Sequence, residues 1–211
     1  MTAEPRYGPS VALVVVDVQN DFADPSGNLF VRGGEAAVAA VNREVAAAVV
    51  AGSPVVYTQD WHPHSTPHFQ KDGGIWPVHC VGDTWGAELH PALVVAEGAH
   101  MVRKGVTGED GYSAFSVREP VSGEERGTGL DRLLREGGVR KVVVVGLATD
   151  YCVRETGLDA VRLGFDAVVV TDAVRAVDLE PGDGERALDD LVAAGVRLVQ
   201  GSVRQTGDQE D

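Results

Sequence analysis

Val11-Ala12-Leu13-Val14-Val15-Val16-Asp17 is an unbroken aliphatic run closed by a carboxylate. A short apolar run rich in β-branched residues and lacking polar alternation suits a strand buried on both faces, as in a parallel sheet. The pattern recurs at Val55–Thr58, Lys141–Val145, Ala167–Val170 and Val196–Val199, with Leu93–Val102 as a further short strand. Helical spacing separates these runs. Gly33–Val50 repeats Val38, Val41, Val45 and Ala48 before Gly52 and Pro54 end it. Leu130–Glu136 is helical. Asp150–Leu163 sets Val153, Gly157, Ala160 and Val161 on one face before Gly164, and Pro181–Ala194 is the last helix. Strands alternating with helices predict an α/β fold, a three-layer α/β/α domain around a central, mostly parallel sheet. There is no internal repeat or interdomain linker. One domain is expected over 1–211, with an ordered core from about 10 to 200 and flexible termini at 1–9 and 201–211.

Composition narrows the function. The chain has 211 residues, 44% of them hydrophobic, and a net charge of −14. So acidic a surface repels phosphate backbones and anionic lipid, which argues against nucleic-acid and membrane-surface roles. The Val11–Val16 run is far short of the ~18 residues of a spanning helix. The first ten residues lack the basic-then-apolar order of a signal peptide, so a cytoplasmic protein is expected. The two cysteines, Cys80 and Cys152, form neither a disulfide framework nor a C-x-x-C pair. The first strand runs into Asp17-Val18-Gln19-Asn20, not a glycine-rich turn, and there is no P-loop, serine elbow or H-E-x-x-H.

Ligands of parallel sheets bind beyond the carboxyl ends of the strands. Asp17 closes the first strand, Asp60 follows the second, Lys104 the third, and Cys152 lies just past the Lys141–Val145 strand. A lone cysteine is more often a structural core residue. This one stands at a strand-to-helix turn, where free N–H groups lower a thiol pKa and can hold an oxyanion. A carboxylate beside it can take the thiol proton, and a lysine beside both keeps the charges tolerable. Taken singly, Asp17 is a loop-capping carboxylate and Lys104 a solvated surface lysine.

Between Asp60 and Pro91 the chain is rich in proline and glycine and has no period, the kind of stretch that is usually functional. Four of the six histidines fall between His62 and His79. Asp60 and His62, two apart, share one side of an extended segment, and His79 lies past a loop that can fold back. A carboxylate with imidazoles suits Zn²⁺, Fe²⁺ or Mn²⁺. A hydrogen-bonded loop with polar histidines fits the spacing equally well. His68 is the next candidate ligand, and His64 a weaker one. Phe22 and Trp76 are core residues by default, but near a metal and a nucleophile they can sandwich a flat ring.

Together these pieces resemble the nicotinamidases within the isochorismatase-like cysteine hydrolases. They are Asp17-x-Gln19-Asn20-Asp21-Phe22, Thr58-Gln59-Asp60-Trp61-His62, Trp76-Pro77-Val78-His79-Cys80, Lys104-Gly105, Tyr112-Ser113-Ala114-Phe115 and Gly146-Leu147-Ala148-Thr149-Asp150-Tyr151-Cys152-Val153. The resemblance implies an isochorismatase-like fold and a catalytic triad of Asp17, Lys104 and Cys152. It implies one divalent metal ion (Zn, Fe or Mn) on Asp60, His62 and His79, with His68 as a further ligand. It also implies substrate contacts from Phe22, Trp76 and Tyr112, a cis Leu147–Ala148 peptide, and an oxyanion hole from the N–H groups of Ala148 and Cys152. The implied reaction is hydrolysis of nicotinamide to nicotinate and ammonia through a cysteine thioester, in NAD salvage.

The competing readings are a metal-independent amidohydrolase of the same superfamily acting on another small amide, carbamoyl or ureido compound; a non-catalytic binding module; and a metallohydrolase with Cys152 as bystander. Asp60-x-His62 with His79 favours nicotinamide. A true isochorismatase fits less well, because vinyl-ether hydrolysis needs no thiol. Enzymes of this size often self-associate, so a homo-oligomer stays open.

Overall fold

The structure, a computed structural model, describes residues 6–201. Among them, six strands form one sheet in which every neighbouring pair is parallel. They are β1 (Val11–Val16), β2 (Val55–Asp60), β3 (His100–Lys104), β6 (Lys141–Leu147), β7 (Asp166–Arg175) and β8 (Arg197–Val199), in the order β3-β2-β1-β6-β7-β8. A separate antiparallel ribbon pairs β4 (Ser116–Arg118) with β5 (Glu125–Gly127).

The aliphatic runs are strands because both faces are covered. Successive side chains of β1 point to opposite sides. Leu13 and Val15 pack under helix α2 (Gly34–Val50) with its Ala37, Val38, Val41 and Val45. Ala12, Val14 and Val16 pack on the other face. There they meet Leu130 and Leu134 of α3 (Leu130–Glu136), Ala160 of α4 (Arg154–Arg162) and Leu191 of α5 (Asp183–Ala193). β6 divides likewise, Val143 and Val145 one way, Val142 and Val144 the other. Each fully buried valine contributes about 1.5–3 kcal/mol, so a polar residue in either run has no solvated face to occupy.

Several boundaries differ from those read in the sequence. β3 begins at His100, not Leu93; Leu93 instead packs into the core under α2 from an irregular loop. The helix expected over Asp150–Leu163 opens as a π-helical turn, Thr149–Val153, before α4. Asn20–Ala23 forms a short helix, α1. Arg6 to Pro9, expected to be flexible, are anchored: Arg6 and Tyr7 both bind the buried Glu44 carboxylate, at 3.0 and 2.6 Å, and Gly8 bonds Ser53. The expectations for residues 1–5 and 202–211 lie outside the described residues. Among those residues no helix is long and apolar enough to cross a membrane.

Candidate active site

The strand order reverses direction between β1 and β6, and that is where a crevice opens at the carboxyl end of a parallel sheet. β3, β2, β1 and β6 are consecutive neighbours, so Lys104, Asp60, Asp17 and the turn carrying Cys152 stand side by side. Asp60 and Lys104 are direct register partners at the ends of β2 and β3. Asp17, just past β1, adopts a left-handed backbone (φ 47°) that turns the chain away from the sheet.

Lys104 is the hub of this row and is 1% exposed. Its Nζ lies 2.7 Å from Asp17 Oδ2, 2.9 Å from Asp60 Oδ1, 2.9 and 3.2 Å from the carbonyls of Gly111 and Tyr112, and 3.6 Å from Cys152 Sγ. An ammonium has three protons for these five neighbours. The approach to Asp60 Oδ1 is an ion pair without hydrogen-bond geometry, and that oxygen has no hydrogen-bond partner among the described residues.

The charges separate the two aspartates. Burial raises the Asp17 carboxyl above its ordinary value, against the pull of Lys104. Burial acts on Asp60 too, but Lys104 and then His62 outweigh it and hold Asp60 well below the usual range. Burial works against the Lys104 ammonium; Asp17 and Asp60 more than offset it and keep the lysine charged. Asp60 is thus a permanent anion, and Asp17 the carboxylate able to exchange a proton. The sequence expectation for Cys152 needs correction. Burial, partly countered by Lys104, pushes its thiol well above the ordinary value, so it rests protonated and needs a base at the moment of attack. Cys152 lies within the π turn that leads into α4, a turn closed by the Val153 N–H to Ala148 carbonyl bond.

The Asp60–Pro91 loop folds back as expected. His62 and Val81 pair as an isolated parallel bridge, with the His62 N–H donating to the Cys80 carbonyl. Asp60, His62 and His79 each offer a ligand atom, all within 4.8 Å of one another. The donor set passes a test of fit to a divalent cation. Asp60 Oδ1 is buried with no hydrogen-bond partner beside its ion pair with Lys104, and Oδ2 lies 3.7 Å from His62 Nε2. His79 Nδ1 lies 2.8 Å from the Pro77 carbonyl, which can only accept, so Nδ1 carries the proton and Nε2 keeps its lone pair. Burial also lowers the His79 pKa, keeping the imidazole neutral. Gly105 (φ 73°) makes room for this cluster, since a Cβ there would stand 2.6 Å from His62 Nδ1. His68 lies outside the donor group: its Nε2 contacts His62 Nδ1 at 3.2 Å and Thr66 Oγ1 at 3.0 Å.

A cavity of about 500 Å³, including its open mouth, sits above this row. Cys152, Ala148, Asp60, His62, His68 and His79 line it, as do Phe22, Trp76 and Tyr112. Trp76 Nε1 donates to Tyr112 Oη at 2.9 Å, and Phe22 packs 5.5 Å from the His79 ring. The Leu147–Ala148 peptide is cis. Sequence reasoning missed Tyr151, whose ring meets Trp76 edge-on at 4.9 Å; its one signal was adjacency to Cys152. It also missed Leu29, Asp110 and Val177, which line the cavity from aperiodic or distant segments.

The Gln19-Asn20-Asp21 motif after β1 is scaffolding for the site. Gln19 Nε2 donates to the carbonyls of Asp60 and Ala87, and its Oε1 accepts from the Asp60 N–H. Asp21 accepts from the backbone N–H of Cys80, next to His79, at 2.7 Å.

Comparison with known proteins shows the family to which the chain belongs. The isochorismatase-domain model matches residues 11–201. The chain is 37% identical over 206 residues to an Escherichia coli nicotinamidase, covering 90% of this chain and 94% of that one. Among solved structures, the pyrazinamidase of Pyrococcus horikoshii in complex with zinc superposes with a TM-score of 0.82 at 38% identity, covering 91% of this chain and 99% of the other. PnC1 from L. infantum in complex with nicotinate superposes with a TM-score of 0.84 at 36% identity, covering 93% and 96%.

Proposed function

We propose that this chain, which belongs to the isochorismatase-domain family, is a nicotinamidase, hydrolysing nicotinamide to nicotinate and ammonia in NAD salvage in the cytoplasm. One observation carries the reading. A buried thiol, a proton-exchanging carboxylate and a lysine meet at the floor of an aromatic-lined cavity that also presents Asp60, His62 and His79. A metal-independent amidase or a silent binding module has no use for both halves.

In this reading Phe22, Trp76 and Tyr112 hold the ring and bring the carboxamide carbon to Cys152. Cys152 Sγ attacks that carbon as its proton passes to Asp17. The N–H groups of Ala148 and Cys152 hold the oxyanion. Asp17 returns the proton to the leaving nitrogen, the C–N bond breaks and ammonia departs. Asp17 then takes a proton from water, whose oxygen attacks the thioester; the C–S bond breaks, nicotinate leaves and the proton restores the thiol. Lys104 keeps Asp17 and Asp60 compatible throughout.

Asp60, His62 and His79 would hold one divalent cation, Zn²⁺, Fe²⁺ or Mn²⁺, with His68 against the far nitrogen of His62. When bound, the cation supplies a Lewis-acidic contact for the ring nitrogen.

The test is ammonia release from nicotinamide, with and without prior iodoacetamide. Alkylation-sensitive release is the expected result. Release that survives complete alkylation of Cys152 removes the thiol mechanism, and no release by folded, metal-loaded protein removes the nicotinamidase reading.

A further inference from the structure

We propose that Thr58 is a positioning residue for Asp17, its hydroxyl holding the carboxylate in the orientation from which it exchanges a proton with Cys152. The inference rests on the nicotinamidase reading above. Thr58 follows Val55, Val56 and Tyr57 within β2, where every residue is buried, and is itself 0% exposed. A valine would fill such a strand position equally well, so the hydroxyl needs a reason.

That reason is a two-point clamp on one residue. Thr58 Oγ1 accepts the backbone N–H of Asp17 at 3.1 Å and donates its single proton to Asp17 Oδ1 at 2.5 Å. The first contact fixes the left-handed backbone of Asp17 and the second fixes its carboxylate plane. The other oxygen, Oδ2, is held by Lys104. Lys104 divides its hold among Asp17, Asp60, two carbonyls and the thiol. Among the described residues the Thr58 side chain hydrogen-bonds to Asp17 alone. Thr58 does not line the cavity, so it acts through Asp17 and not on substrate.

Without the hydroxyl the carboxylate still pairs with Lys104, but it is free to rotate about that contact. Charge balance, ring binding and the metal donors then persist while proton transfer slows. The signature is a lower kcat at constant KM.

Ammonia release and bound metal are measured on Thr58→Ser, Thr58→Ala and Thr58→Val beside wild type. Thr58→Ser, which keeps the hydroxyl, should stay within about threefold of the wild-type kcat. Thr58→Ala and Thr58→Val should lose about 10- to 100-fold in kcat, with KM and metal content unchanged. Rates for the hydroxyl-free variants within about twofold of wild type would overturn the proposal. So would equal damage in the serine variant, or an effect confined to KM or metal content, which would trace to Asp60 two residues away. Should Thr58→Val fail to fold, the serine-to-alanine ratio alone decides. An inactive wild type removes the nicotinamidase reading and this inference with it; an active wild type with a fully active Thr58→Ala removes this inference alone.

Discussion

Replacing Lys104 by methionine keeps the stem and deletes the charge, which makes it the sharpest test of how this site is built. At an effective dielectric of ~20, each of the contacts to Asp17 (2.7 Å) and Asp60 (2.9 Å) represents about 6 kcal/mol of gross attraction. Much of that offsets the desolvation of the ammonium, several kcal/mol for a buried ion. The net loss on removing one partner of such a buried pair is about 3–5 kcal/mol. Two stranded carboxylates would cost more, but Asp17 is already above its ordinary value and takes up a proton instead. We expect about 4 kcal/mol near neutral pH, a large part of a typical domain's 5–15 kcal/mol. The pH dependence has a definite sign. In wild type, Asp60 lies below its ordinary value of 3.8, so it contributes stability above that pH and loses it on acidification. In the variant a buried carboxylate without its cation is raised instead, and its stabilising effect is lost as pH rises. The gap between the two proteins should therefore widen from about pH 5 to about pH 8 in urea denaturation. The variant should also lose at least about 100-fold in kcat, since its proton acceptor is already protonated. A stability difference below about 1 kcal/mol, or one equal at both pH values, would refute the charge arrangement.

Cys152→Ala should abolish turnover while bound metal, measured by elemental analysis, stays at the wild-type level; a variant keeping most of its rate would remove Cys152 as nucleophile. His79→Ala should lose bound metal and raise KM, and unchanged metal content would take His79 out of the ligand set. Because the free enzyme needs Asp17 unprotonated and burial raises its pKa, kcat/KM should fall on acidification at a pH above the usual carboxylate range; a limb at or below 3.8 would contradict that environment.

Much of the fold is legible because its strands are buried on both faces, and a doubly buried strand leaves a continuous aliphatic run. Leu130–Glu136 is matched end to end for a related reason: Gly129 and Gly137 flank a single amphipathic turn pair. β3 was placed too early because it is an edge strand, mostly exposed, and its His100-Met101-Val102-Arg103-Lys104 composition carries little pattern. The π turn at Thr149–Val153 escaped because its residues are those of an ordinary helix start; the extra residue per turn follows from how the turn meets β6. Short β4 and β5 are held by pairing to each other, which no local composition reports.

The sequence by itself determined which chemical groups end the strands: Asp17, Asp60, Lys104 and the cysteine after β6. Strand periodicity and the position of polar residues after apolar runs are local properties, and local properties survive in one dimension. Only the tertiary structure decided that the Asp60 carboxyl is held low and that of Asp17 raised, that the Cys152 thiol is raised and not lowered, and that His68 stands behind His62. Those outcomes depend on burial and on distances of a few ångströms between strands far apart in the chain. The protonation state of a buried group is set by its neighbours in space.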